Sequence, residues 1–330
     1  MVGGDKKEFF IGADARAKLG VLKGNYPIDH GVVNNWDEME EIWRYVFNNE
    51  LKVYPSEHCV FLINSLINPK TSSEKMAQIM FETFLVPRLY ITNSAVLSLY
   101  SEGKFTGFVV DSGESITQFE PIFDGNSLSH AIIKFDLARR DLNEYMIRLL
   151  NEVPIWLSTS MEKKWAQYIK EKACYVALDF EKELKNVKSF EYELPDCRRV
   201  VIKDQRIRCP EALFKPSMLG KEGNGFGEIC NESIQKCNKD IRKDLYNNIV
   251  LSGGTTLFNG FPERFTKEVK AFAPKSMKGE VKVIASPKRH LALWVGGSIL
   301  SSISSFKSMW ITKAEYEEYG ASIFHKKNSL

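Results

Sequence analysis

The sequence predicts an α/β protein built from two domains, and two observations support this fold class. Short apolar runs that are typical of buried strands alternate with segments whose apolar residues recur at helical spacing. Such alternation favours a mostly parallel sheet flanked by helices. The chain has 330 residues, of which 44% are hydrophobic and 26% charged. This is enough for two cores and excludes a disordered or collagen-like chain.

Apolar spacing, capping residues and turn residues place the individual elements along the chain. The first are a helix over 35–50 capped by Asn35, a strand at 60–63, a helix opened by Thr71 and Glu74, a strand at 89–92 and a helix over 93–100. Next come a hairpin of strands 107–111 and 116–123, a helix over 136–150, a helix opened by Thr159 and Glu162, and short strands and turns over 186–215. The last are a glycine-rich loop at 220–227, helices near 228–246 and 260–272, strands at 248–251 and 281–285, a helix opening at Gly296-Gly297 and one opened by Thr312 and Glu315.

Charge, cysteine usage and hydropathy narrow the class of protein. The net charge of +3 is too small, and Lys and Arg are too scattered, to indicate nucleic-acid binding. No stretch approaches the ~18 apolar residues of a membrane span, and the first residues lack the apolar region of a secretory signal. The six cysteines form no CxxC pair, which argues against a zinc ribbon. We expect a cytoplasmic protein with reduced thiols and no nucleic-acid or membrane partner.

Two glycine-bearing turns are the candidate sites for chemistry. In Asp111-Ser112-Gly113 a carboxylate ends a strand, and the following turn can offer backbone N–H groups to an anion. In residues 252–256, Ser-Gly-Gly-Thr-Thr joins a strand to a helix and lets a ligand approach the backbone closely. Each turn alone is more often purely structural, and neither is a Walker A or GxGxxG motif. Together they indicate a candidate cleft for a phosphorylated ligand.

Longer stretches of the sequence resemble actins nearly word for word. They are residues 26–31 (YPIDHG), 35–37, 68–70 (NPK), 74–76, 79–84 (IMFETF), 95–100 (AVLSLY), 169–172 (IKEK), 174–180 (CYVALDF), 252–256 (SGGTT), 294–300 (WVGGSIL) and 310–313 (WITK). The matches keep their order from Met1 to about Lys327, so the chain is identified as a member of the actin family. The resemblance implies an actin-like ATPase fold, with a small domain of residues 1–101 and 291–330 and a large domain of residues 102–290. ATP or ADP with Mg²⁺ is expected in the cleft between them.

The resemblance also assigns a nucleotide site. Asp111 matches the aspartate that lies near the divalent cation through water. Ser112 and Gly113 match residues whose backbone N–H groups bind phosphate, and Lys170 and Glu171 match residues beside the adenosine. The turn on the adenine and phosphate side is matched by Gly253, Gly254, Thr255, Leu257 and Phe258. His290 stands where actins place a lysine against the adenine.

Departures from the actin pattern predict weakened nucleotide chemistry. The chain begins inside the region of the actin DNase-binding loop, so the first phosphate loop and the first strands of the small domain are expected to be missing. Ser94 and Gln118 stand where actins position the attacking water with a glutamine and a histidine. Glu114 and Ser115 replace an aspartate and a glycine of the second loop. Slow hydrolysis is expected, because losing one positioned polar group costs roughly 10²–10³ in rate.

Two interaction surfaces of actins are better matched. The groove for partner helices corresponds to Tyr100, Gly103, Ile299, Leu300, Ile303, Ser305 and Met309. Ordinary helix packing is an equal alternative for Ile303 and Met309. The loop that plugs between filament strands corresponds to residues 214–226, and Met218 and Leu219 are expected as its exposed apolar tip.

These observations favour an actin-like cytoskeletal protein that takes part in filaments or an actin-related assembly. Its expected partners are actin or actin-related subunits and actin-binding proteins in the groove. ATP or ADP binding is expected to be weakened, with weak or no ATPase activity. An ordinary polymerising, ATP-hydrolysing actin and an incomplete gene product remain as alternatives.

Overall fold

Two larger sheets and the helices around them organise the chain, which the structure, a computed structural model, describes over residues 10–18, 24–64, 68–153, 160–194 and 197–324. The strands are β1 (Ile28–Asp29), β2 (Val32–Val33), β3 (Val60–Asn64), β4 (Arg88–Asn93), β5 (Gly107–Ser112), β6 (Thr117–Phe123), β7 (Asn126–Ser127), β8 (Ile133–Phe135), β9 (Phe190–Glu193), β10 (Arg199–Ile202), β11 (Ile249–Ser252), β12 (Val283–Ile284) and β13 (Ile311–Thr312). The helices are α1 (Gly12–Ala17), α2 (Trp36–Tyr45), α3 (Lys70–Gln78), α4 (Ser94–Tyr100), α5 (Arg139–Leu150), α6 (Ser160–Ala173), α7 (Phe180–Asn186), α8 (Gln205–Glu211), α9 (Phe226–Lys236), α10 (Arg242–Asn247), α11 (Phe261–Phe272), α12 (Ala292–Ser302) and α13 (Lys313–Tyr319).

The larger sheet has six strands, in the order β12-β11-β5-β6-β7 with β8 also paired to β6. β11 runs parallel to both β5 and β12, whereas β5 and β6 form an antiparallel hairpin. All four residues of β11 are buried, as expected for a strand that is covered on both faces. One face packs against α4, and the other contributes Phe108 and Phe119 to the largest apolar cluster, which also contains residues of α5, α9 and α11.

The smaller sheet has three strands, in the order β13-β4-β3. β3 is parallel to β4, and β13 is antiparallel to it. One face packs on α3 and on the π-helical turn Ile79–Thr83 that follows it, and Met76, Met80 and Phe81 of these segments belong to a second apolar cluster. Among the described residues β3 lies at the sheet edge.

Helix α4 joins the two sheets. It follows β4 of the smaller sheet directly, yet Ala95 and Leu99 pack against Val109 of the larger sheet. On its other side α12 crosses so closely that a Cβ on Gly296 would lie 1.9 Å from the Leu97 carbonyl oxygen. Only glycine permits this approach, so the crossing ties α12 to the junction of the two sheets.

Most of the predicted elements are confirmed, with boundaries shifted by a few residues. Asn35 caps α2, its side chain accepting a hydrogen bond from the Glu38 N–H, and a π-helical turn extends it over Val46–Leu51. The capping box of Thr312 and Glu315 is present at the start of α13.

Three local predictions are wrong, and one cannot be judged. Thr71 does not cap α3, which already begins at Lys70 after Pro69, a residue that favours a helix start. Gly296 lies inside α12 rather than at its start, because the close crossing with α4 requires glycine there. α8 occupies a region predicted as strands and turns. Thr159 lies outside the described residues.

Within the described segments, no helix combines the length with the apolar composition that crossing a bilayer needs.

Candidate functional site

A cleft opens where β5 and β11 end side by side. Because these strands are parallel, their carboxyl ends, Asp111-Ser112 and Ser252, meet at one edge of the sheet, which is where ligands bind in open α/β sheets. The cleft has a volume of about 410 Å³. Its lining consists of Arg139, Lys170, Glu171, Cys174, Gly254, Thr255, Leu257, Phe258, Asn259 and His290. The structure thus brings together seven of the sequence-predicted residues from three distant segments: Lys170, Glu171, Gly254, Thr255, Leu257, Phe258 and His290. Four others are not part of this lining: Asp111, Ser112, Gly113 and Gly253.

Lys170 and Glu171, in the last turn of α6, face the cleft in different environments. Lys170 is only 3% exposed, and this burial lowers the pKa of its ammonium group. Its Nζ lies 6.0 Å from the centre of the Phe258 ring. Glu171 is half-exposed and accepts hydrogen bonds from Arg139 (2.7 Å) and Gln167 (3.0 Å). A buried cation beside an open cleft is a ready partner for an anionic ligand, which would compensate its lost hydration.

The glycine turn after β11 is held tightly against the Asp111 turn. Gly253 has φ +84°, and a Cβ there would lie 2.1 Å from the Ser112 carbonyl oxygen. The Thr255 hydroxyl donates to the Gly113 carbonyl oxygen (2.7 Å). Buried Arg289 donates to the hydroxyl and carbonyl oxygens of Thr256 at 2.8 and 2.6 Å. These contacts hold the turn in a single backbone conformation. Two of them come from Arg289, a residue that sequence reasoning missed.

Asp111, near the end of β5, lies among polar groups of α4, β6 and β11. Burial raises the pKa of its carboxyl group, and hydrogen bonds from the hydroxyls of Ser252 and Ser94 oppose that rise. Gln118 is its register partner on β6. Ser94 and Gln118 are both buried, so the two positions predicted to replace the water-positioning residues do meet beside Asp111.

The rest of the Asp111 turn makes its polar contacts within the protein. The hydroxyls of Ser112 and Thr117 lie 2.6 Å apart, and Thr117 in turn donates to the Leu137 carbonyl oxygen. The Gly113 N–H donates to the Ile116 carbonyl oxygen at 3.2 Å. Phosphate binding by the Gly113 N–H would therefore compete with a hydrogen bond that the turn already makes.

Arg139, at the start of α5, is a cleft residue that sequence reasoning missed. Its backbone N–H donates to the Gly113 carbonyl oxygen (3.3 Å), and its side chain is ion-paired with Glu171 and with Glu114. Its position in the sequence was a usable signal. A cation in the first turn of a helix interacts unfavourably with the helix dipole, so a compensating carboxylate partner is expected.

The comparison with known families agrees with this geometry. The family model described as Actin matches residues 2–329. The chain belongs to the actin family. Members of this family generally bind ATP or ADP with a divalent metal.

The residues of this actin-family cleft fit a hydrated magnesium ion. Mg²⁺ in nucleotide sites is commonly held by one or two carboxylates, the phosphates and several waters. Asp111 supplies one carboxylate and stays partly accessible. Within the described segments no three His, Cys, Asp or Glu side chains are grouped as a metal cage. Asp111 would therefore hold the ion together with the phosphates, and the ion would neutralise phosphate charge.

The two predicted partner surfaces of the actin-like chain differ in exposure. Ile299, Ile303 and Met309 of the groove are exposed, so they are not buried by ordinary helix packing. Met218 and Leu219 are partly buried and pack on the large apolar cluster. The prediction that these two residues form an exposed tip is wrong, because the 3-10 turn Pro216–Leu219 folds them back onto the core.

Proposed function

We propose that this actin-family protein is a cytoplasmic, cytoskeletal subunit that joins a filament or another actin-related assembly. In this proposal residues 1–101 and 291–330 form the small domain and residues 102–290 the large one. The cleft binds ATP or ADP with Mg²⁺ weakly, and hydrolysis is slow or absent.

The contrast between the two ends of the cleft carries this proposal. The adenosine end is open: Lys170, Glu171, Leu257 and His290 all line it. At the phosphate end the Ser112 hydroxyl and the Gly113 N–H already have partners in the protein, Thr117 and the Ile116 carbonyl oxygen. A nucleotide can thus be held by its adenosine, whereas its phosphates must compete for donors.

The side chains beside Asp111 support slow hydrolysis. Ser94 is buried and donates to Asp111, so its hydroxyl is engaged in holding α4 to the sheet. Gln118 cannot accept and release a proton as a histidine does. In phosphoryl transfer the protein mainly positions water and stabilises charge, so these two substitutions remove much of what it can contribute.

The exposed groove residues support a role in assemblies. Ile299, Ile303 and Met309 present apolar surface to solvent. An amphipathic helix of an actin-binding protein could place its apolar face there. The partial burial of Met218 and Leu219 against the large apolar cluster makes the filament plug the weaker of the two predicted contacts.

Three measurements on the purified protein test the proposal. We expect saturable binding of Mg-ATP and Mg-ADP in the micromolar to millimolar range, with single-turnover phosphate release far slower than that of conventional actin measured in parallel. We also expect the protein to pellet, cap or copolymerise when mixed with conventional actin. Filament-stimulated ATP hydrolysis at the rate of conventional actin would instead support an ordinary actin. Failure to bind nucleotide at millimolar concentration, together with failure to pellet or cap, would overturn the proposal.

A further inference from the structure

Arg139 occupies a special place in the cleft, between its two ends. Its backbone is fixed to the Asp111 turn by the hydrogen bond to the Gly113 carbonyl oxygen. Its side chain lines the cleft together with Lys170, Gly254 and His290. The guanidinium group is therefore within reach of whatever lies between the adenosine end and the phosphate end.

Arg139 pairs with two carboxylates, Glu171 of the cleft lining and Glu114 of the turn that follows β5. Nη2 donates to Glu171 Oε1 at 2.7 Å, which is a short, charge-assisted hydrogen bond. Nε lies 3.5 Å from Glu114 Oε2, an ion pair too long to be a strong hydrogen bond. The Glu114 side chain is 56% exposed, so solvent screens this second pair and little is lost when it separates.

A phosphate group is a better partner than Glu114 for the Nε side of the guanidinium. Arginine presents five N–H donors in a planar fork that matches phosphate oxygens, often with two parallel hydrogen bonds. A nucleotide phosphate carries up to two negative charges, and Glu114 can swing into solvent when one arrives. The positive end of α5, where Arg139 lies, favours the additional negative charge.

We propose that Arg139 is a phosphate-binding residue that makes the cleft prefer nucleoside di- and triphosphates to nucleosides. When a nucleotide binds, the guanidinium releases Glu114, binds a phosphate oxygen and keeps its hydrogen bond to Glu171. Before binding, the ion pairs with Glu114 and Glu171 keep the guanidinium in place at the cleft. The inference rests on the proposed nucleotide binding and names the residue that supplies phosphate affinity where the Asp111 turn has few donors to offer.

The test compares the affinities of Mg-ATP, Mg-ADP and adenosine for the full chain and three variants. Arg139→Ala is expected to weaken Mg-ATP and Mg-ADP binding by roughly 10-fold or more, the loss typical of a charge-assisted hydrogen bond. Adenosine affinity is expected to change less than about 3-fold. Arg148→Ala, which removes an exposed arginine of the same helix, is the control for net charge and should change neither.

Glu114→Gln tests the inference through a gain of Mg-ATP affinity, whereas Arg139→Ala tests it through a loss. It removes the competing carboxylate from an exposed side chain, so we expect Mg-ATP affinity to rise several-fold and adenosine affinity to stay the same. Thermal unfolding of each variant without nucleotide separates folding defects from binding defects.

The outcomes distinguish this inference from the function on which it rests. If the unmodified protein binds neither Mg-ATP nor adenosine at millimolar concentration, the proposed function fails and the inference fails with it. If Mg-ATP binds and Arg139→Ala leaves the ratio of Mg-ATP to adenosine affinity unchanged, the inference alone is wrong. Tighter Mg-ATP binding by Arg139→Ala would also overturn it, because Arg139 would then occlude the cleft.

Discussion

The two ends of the cleft are built in opposite ways. At the end that we propose to bind adenosine, side chains such as Lys170 and Leu257 line the cleft. At the phosphate end, Asp111 and its neighbours form a closed network of hydrogen bonds between α4, β5, β6 and β11.

The difference separates residues that bind from residues that hold the protein together. Substitutions at the phosphate end should mainly change the free energy of unfolding, because they break contacts that the protein makes within itself. Substitutions at the adenosine end should mainly change affinity. Four predictions test this division, from the largest expected effect to the smallest.

Gly253→Ala is expected to destabilise the protein by about 3 kcal/mol or more. The residue has φ +84°, and the added Cβ would lie 2.1 Å from the Ser112 carbonyl oxygen, so the two turns must separate. Equilibrium urea unfolding measures the loss. Gly254→Ala is the matched control: a Cβ there meets no atom within 4 Å, and we expect a change below about 1 kcal/mol. Equal losses in both variants would contradict a tightly packed phosphate end.

Glu120→Gln is expected to stabilise the protein by about 3 kcal/mol at alkaline pH and by little in acid. Glu120 lies on β6 at the proposed phosphate end, where it interacts electrostatically with Asp111. It is 1% exposed beside the Asn93 amide, and burial raises its pKa from 4.5 to about 7. Below pH 4.5 both the folded and unfolded forms are protonated, so the native group costs nothing. As pH rises, the unfolded state releases the proton first, and stability falls until the folded group ionises near pH 7.

Urea unfolding of the native protein and the Glu120→Gln variant across this pH range measures the effect. Glu144→Gln, at an exposed position on α5, should follow the native pH profile and is the control. A difference between native and Glu120→Gln proteins that stays constant with pH would show that Glu120 is not a neutral buried carboxyl group.

Lys170→Met is expected to weaken Mg-ADP binding by roughly 10- to 100-fold without lowering stability. The ammonium group is the buried cation of the adenosine end, and methionine removes both its charge and its desolvation cost. Burial lowers the pKa of Lys170, and a bound anion raises it, so Mg-ADP affinity of the native protein should fall as pH rises through the lowered pKa. Calorimetric titration at several alkaline pH values checks this. Lys172→Met, which lies outside this cleft, should bind normally.

Leu257→Ala is expected to have the smallest effect, a loss of roughly 1 kcal/mol in Mg-ATP affinity. Leu257 lines the cleft and is 38% exposed, so its apolar surface can cover an adenine but contributes little to the stability of the fold. Fluorescence titration with an adenine nucleotide measures the loss. Leu178→Ala, an exposed leucine away from the cleft lining, is the control. A large drop in melting temperature for Leu257→Ala would show that this residue stabilises the fold instead of binding the nucleotide.

The sequence by itself determined the elements and the two turns. Alternating strands and helices, the Asn35 cap and the glycines at 253 and 254 are local signals, because backbone conformation depends mostly on neighbouring residues. The long stretches that resemble actins added the site, including Lys170 and Glu171, which the cleft then brought together with Gly254 and Leu257.

Only the tertiary structure decided which polar groups have partners. Arg139 meets Glu114 and Glu171, Arg289 meets Thr256, and Met218 folds onto the core, all through contacts between elements distant along the chain. The hydrogen bonds and burial of a side chain depend on the residues that pack against it from distant segments. A local sequence pattern does not identify those residues. The sequence therefore named the residues of the cleft, whereas packing decided which of them are available to a ligand.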